Sequence, residues 1–63
     1  MIELTLPTMT CGHCVRTVTA TVQRVDAAAV LTVDLPSHQV QIESSQPPEA
    51  FVAALTAEGY TPA

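Results

Sequence analysis

An α+β fold, one antiparallel sheet carrying two helices on a single face, is predicted by three observations. Apolar and polar residues alternate in three short segments, at Ile2–Leu6, Leu31–Leu35 and Gln39–Glu43. Valines recur at three- and four-residue steps between the first and second of these. Only a short turn, Pro36-Ser37-His38, lies between the second and third, which suits an antiparallel hairpin.

Each element has its own signal. Ile2, Leu4 and Leu6 alternate with Glu3 and Thr5, and Pro7 ends this first strand. Thr8-Met9-Thr10-Cys11-Gly12 is polar and contains a glycine, so it reads as a loop. Val15, Val18, Val22 and Val25 then mark one face of a helix over residues 13–25, with Thr17, Thr19, Thr21 and Gln23 elsewhere around it. β-branched side chains lower helix propensity, so periodicity and packing must carry this helix. Leu31, Val33 and Leu35 form the second strand, and Val40 and Ile42 the inward positions of the third. Ser44-Ser45-Gln46-Pro47-Pro48 breaks the pattern. Pro47 or Pro48 suits a helix start, and Glu49 suits its positive end. Phe51, Ala54 and Leu55 make a short inward stripe, and Gly59 caps the helix. Tyr60 to Ala63 remain for a short fourth strand at an edge. The order β-α-β-β-α-β is that of the ferredoxin-like split βαβ sandwich, and one domain is expected over residues 1–63.

Composition narrows the function. A chain of 63 residues buries only about 60% of its unfolded surface, so stability is marginal. With 48% hydrophobic and 13% charged residues it is nevertheless no disordered tail. Phe51 and Tyr60 are the only aromatics, so the core must be aliphatic. A net charge of −4 leaves no basic patch for nucleic acid. No apolar run approaches the roughly 18 residues of a membrane span, and no basic-then-apolar leader precedes the first strand. A cytoplasmic location is therefore expected, where thiols stay reduced.

Two cysteines are too few for a disulfide scaffold or a four-thiolate zinc site. Cys11-Gly12-His13-Cys14 lies between the first strand and the first helix, where both sulfurs can face a single ion while Gly12 lets the loop turn. The unpaired N–H groups and partial positive charge of the helix start favour thiolates. A monovalent ion held by two thiolates leaves one net negative charge, which suits that helix end. Two soft thiolates also fit a two-coordinate monovalent ion better than Zn²⁺. The chemistry ranks Cu(I) first, with Ag⁺ and Hg²⁺ as mimics. A C-x-x-C also serves redox enzymes and zinc half-sites, so thiol-disulfide exchange is the rival reading. Against it, a hairpin follows the first helix, no apolar strand begins at a proline, and no aromatic precedes Cys11.

Met9-Thr10-Cys11-Gly12-His13-Cys14 resembles the M-x-C-x-x-C metal loop of heavy-metal-associated domains, most closely the small bacterial Atx1-like copper chaperones. The likeness extends over Val33-Asp34-Leu35 and over Glu58-Gly59-Tyr60 at the end of the second helix. It implies a ferredoxin-like fold, Cu(I) held by Cys11 and Cys14, and exchange with a copper-transporting P-type ATPase. Thr8 stands where the family commonly has glycine before the loop methionine, and the last strand is short.

The resemblance also implies roles around the loop. Met9 turns inward as an anchor, and Tyr60 shields the thiolates beside the metal loop. His13, between the two cysteines, points away into solvent. Arg16 is read as a solvated helix residue and His38 as a surface residue of the hairpin turn. A copper carrier that hands its metal to an ATPase, with copper-bridged homodimers as a further assembly, is the leading reading. A Cu(I) buffer without obligatory transfer and a small thiol-disulfide oxidoreductase stand beside it.

Overall fold

A computed structural model describes residues 1–63. Five regular elements follow in order: β1 (Ile2–Thr5), α1 (Gly12–Val25), β2 (Val30–Asp34), β3 (Gln39–Glu43) and α2 (Pro48–Ala57). The sheet is antiparallel in the order β1-β3-β2, and the architecture is ferredoxin-like.

Register explains why the alternating segments pair as they do. Ile2 stands opposite Ile42 and Leu4 opposite Val40, while Leu31 and Val33 face the same two residues from the other side. Every apolar residue of the alternation therefore falls on one face. On the opposite face Glu3 pairs with Gln41, whose Nε2 donates to Glu3 Oε1 at 3.2 Å. The apolar face meets Val18 and Val22 of α1 and Phe51 and Leu55 of α2, all fully buried with Val40, Ile42, Leu6 and Met9. Val15 and Val25, the outer members of the valine stripe, are half-buried against this core.

Local bonds set the element boundaries. The helix predicted from residue 13 begins at Gly12, with Cys11 as its extended N-cap and the Cys11 carbonyl accepting from Val15 N–H at 3.1 Å. Leu6 lies just outside β1, yet its N–H still donates to the His38 carbonyl at 2.7 Å, so the ladder runs one bond further. The second strand sits one residue earlier than the alternation suggests. Leu35 leaves the ladder because its carbonyl accepts from His38 N–H at 3.1 Å, closing a turn with Pro36 at its second position. Thr21, expected away from the core, is buried instead. Its hydroxyl donates to the Thr17 carbonyl at 2.8 Å, which removes the cost of hiding a polar group.

Residues 60–63 form no regular strand. One backbone bond, Ala63 N–H to the Thr5 carbonyl at 2.8 Å, lays the end of the chain beside the free edge of β1, where the fourth strand was expected. Two side-chain links tie the far ends together. Arg24 donates to Glu58 across the helices at 2.8 Å, an exposed pair contributing about 1 kcal/mol or less. Ser44 donates to Asp26 at 2.6 Å, joining the end of β3 to the end of α1. No helix is long and apolar enough to cross a membrane.

Candidate metal centre

The loop between β1 and α1 is built from its anchor outward. Met9 is fully buried in the core, and its N–H donates to the Leu6 carbonyl at 3.0 Å. The chain then emerges at Thr10 and reaches Cys11, which is exposed and makes no side-chain capping bond. Cys14 lies in the first turn of α1 and is partly buried against the core. One residue is thus free at the mouth of the loop and the other is fixed on a helix.

The two sulfurs stand 3.2 Å apart, close enough for one thiol to donate to the other. Both cysteines are free. The Cys14 sulfur also faces the Thr8 carbonyl at 3.9 Å, a weak contact. No third His, Cys, Asp or Glu gathers with the pair into a larger cluster. The donor set is therefore two thiols, which suits a soft ion of low coordination number.

Cys14 is set up to ionise, its pKa lowered to about 7. The largest cause is the Tyr60 hydroxyl, followed by the Thr10 backbone N–H and the Cys11 thiol; desolvation acts in the opposite sense, and the Cys11 backbone N–H lowers it least. The same pairing raises the Tyr60 pKa, because losing the phenolic proton would leave two anions face to face. Thr17 acts on Tyr60 in the opposite, lowering sense, and its hydroxyl lies 3.1 Å from the His13 carbonyl. The acidity expected from the helix start thus comes first from a side chain of another element.

Tyr60 owes its place to the way α2 ends. Gly59 adopts φ +92, the left-handed conformation that costs glycine least. Its N–H donates to the Thr56 carbonyl at 3.0 Å, and the Tyr60 N–H reaches back to Leu55 at 2.8 Å. This paired-bond ending reverses the chain. The glycine noted as a cap is therefore also what brings the tyrosine to the thiols.

The remaining candidates separate clearly. Met9 faces inward, and His13 is exposed between the cysteines. Arg16 is exposed and forms no ion pair. His38, read as a surface residue, is half-buried, and its Nδ1 lies 3.0 Å from the Met9 carbonyl. Thr17 and His38 are the two residues near the loop that sequence reasoning missed. A threonine on a helix and a histidine in a turn carry no periodic signal of a distant partner.

The profile of the heavy-metal-associated domain matches residues 3–61. Among solved structures, the copper chaperone Atx1 from Synechocystis PCC6803, in a trimeric copper form of a histidine-to-tyrosine variant, is 40% identical. All of both chains is covered, at a TM-score of 0.96. A gold binding protein is 34% identical over 98% of this chain and 95% of its own, at a TM-score of 0.94. The cyanobacterial copper metallochaperone ScAtx1 is 39% identical over 98% and 97%, at a TM-score of 0.81. No curated protein sequence gives a significant match.

Proposed function

The chain belongs to the heavy-metal-associated domain family, and we propose that it is a copper chaperone holding Cu(I) between Cys11 and Cys14. The observation that carries this reading is a thiol pair 3.2 Å apart at an exposed loop, one thiol having a pKa of about 7. Full-length similarity to Atx1 copper chaperones supports copper as the cargo, and a gold-binding neighbour supports a soft-metal site. The whole chain, residues 1–63, acts as one such domain. A thiol-reducing compartment, the cytoplasm, is its place of action, because oxidation would join the two cysteines to each other.

Loading requires a small movement. Metal–thiolate bonds near the length of about 2.3 Å known for zinc would put the sulfurs of a near-linear pair roughly 4.6 Å apart. From 3.2 Å they must separate, and Cys11 is the free partner. Cys14 enters as the thiolate, the Tyr60 hydroxyl turned toward its charge. Any proton still on either thiol is released as the metal binds.

Unloading is ligand exchange without electron transfer. A thiolate from a partner's C-x-x-C adds to the ion to give a three-coordinate intermediate. One sulfur of this chain leaves and takes up a proton, and a second exchange completes the transfer. Copper stays Cu(I) throughout. The partner is the metal-binding domain of a copper-transporting P-type ATPase or another copper protein with an exposed dithiol. The same chemistry joins two copies through one ion; a trimeric form of the Synechocystis Atx1 variant is compatible with such sharing.

The test is direct transfer. Cu(I)-loaded chain and an apo dithiol domain are mixed anaerobically with a chelator that traps free copper. Metal passing to the domain, with none reaching the chelator, supports a carrier. Retention by the chain under all conditions would make it a buffer.

A further inference from the structure

The hairpin between β2 and β3 and the loop that carries the cysteines are held together by one residue, His38. Its carbonyl accepts from Leu6 N–H at 2.7 Å, before the loop, and its imidazole Nδ1 lies 3.0 Å from the Met9 carbonyl, inside it. A carbonyl only accepts, so Nδ1 carries the proton and donates. The backbone at His38 adopts φ 59, the left-handed region that an ordinary side chain avoids.

The Met9 carbonyl shares a planar peptide unit with the Thr10 N–H. Holding the carbonyl toward His38 turns that N–H to the other side of the unit, toward the Cys14 sulfur. The next residue, Cys11, is fixed to the helix through its carbonyl, which accepts from Val15 N–H, while its side chain makes no capping bond. The Met9 side chain is buried in the core, while the imidazole bonds the carbonyl of the same residue.

We infer that His38 is a positioning residue for the metal loop, orienting the Met9–Thr10 peptide so that its N–H faces the Cys14 sulfur. This rests on the copper-carrier reading for its effect on metal, though not for its effect on the loop. His38 touches neither cysteine. It acts through one peptide group, from a hairpin that contributes nothing else to the site.

Three substitutions at His38 test it. Asn carries its amide nitrogen where histidine carries Nδ1 and accepts the left-handed backbone, so H38N keeps the donor. Asp has the same shape but accepts only, so H38D loses it. Gly relieves the backbone and removes the side chain, so H38G isolates the bond. Two readouts are taken on folded protein: amide exchange at Thr10 without metal, and Cu(I) affinity by anaerobic chelator competition. H38D and H38G should exchange Thr10 about tenfold faster and bind Cu(I) about fivefold more weakly. H38N should restore both to within about twofold. Wild-type exchange and affinity in H38D, or the same loss in H38N as in H38D, would overturn the inference. If wild-type chain fails to bind Cu(I), the carrier reading falls, while Thr10 exchange still decides the role of His38.

Discussion

The Tyr60 hydroxyl does more than any other group to hold the Cys14 thiol toward its ionised form, although the two residues come from opposite ends of the chain. Removing the hydroxyl removes a donor to the thiolate while leaving the aromatic ring against the core. Tyr60→Phe should therefore raise the Cys14 pKa from about 7 toward its ordinary value of 9. The sign is fixed: fewer thiolates at neutral pH. Alkylation of Cys14 in metal-free protein at pH 7 should slow about fivefold, read as a shifted pH–rate profile in a Cys11→Ser background. An unshifted profile would assign the acidity of Cys14 to groups other than Tyr60.

Gly59 controls that same contact from a distance. A methyl group built there meets no atom within 4 Å, so any cost of Gly59→Ala is conformational. At φ +92 that cost is about 1 kcal/mol. Urea unfolding should show this loss, and the Cys14 pH–rate profile should move in the direction given by Tyr60→Phe. A stability loss with an unchanged profile would mean that Tyr60 reaches the thiol without the glycine turn.

Asp26 links stability to acid. Its pKa is lowered, first by the Ser44 hydroxyl and then by the Ala28 N–H. A folded pKa below the unfolded value stabilises the fold above the unfolded pKa, and this contribution disappears as pH falls through the folded one. Ser44→Ala should thus destabilise the chain at pH 7, and the difference from wild type should shrink as pH falls below the ordinary value of 3.8. Urea midpoints at several pH values check it; a difference that grows on acidification would reverse the assignment.

The core has little reserve. Phe51 is fully buried between α2 and the sheet. Truncating such a side chain costs about 3–5 kcal/mol, comparable to the whole stability of a domain this small. Phe51→Ala should lose its helical circular dichroism at 25 °C, whereas Phe51→Leu should remain folded. A folded alanine variant would show that the aliphatic residues suffice.

Much of this fold is legible in the chain because periodicity reports burial. Val18 and Val22 lie fully buried where the three- and four-residue spacing puts them, and Val40 and Ile42 where alternation does. Gly59 announces a helix end through its freedom to take positive φ. Register is less visible, since Leu35 alternates like a strand residue yet turns away to bond His38. Around the candidate site, the Cys11–Cys14 spacing is local and stands in the sequence. The contacts that tune it are not. His38 meets a partner 29 residues away, and a polar residue in a turn looks the same whether it bonds water or a loop. The expected fourth strand does not form, because Pro62 has no N–H to pair and a single bond, Ala63 N–H to the Thr5 carbonyl, is made along β1.

The central claim is that Cys11 and Cys14 together form a Cu(I) site. Anaerobic titration with Cu(I) against a competing chelator, with Zn²⁺ in parallel, tests it on wild type and on Cys11→Ser and Cys14→Ser. One Cu(I) per chain is expected, Zn²⁺ much weaker, and both variants folded but without tight Cu(I) binding. Preference for Zn²⁺, or undiminished Cu(I) affinity in both variants, would contradict it.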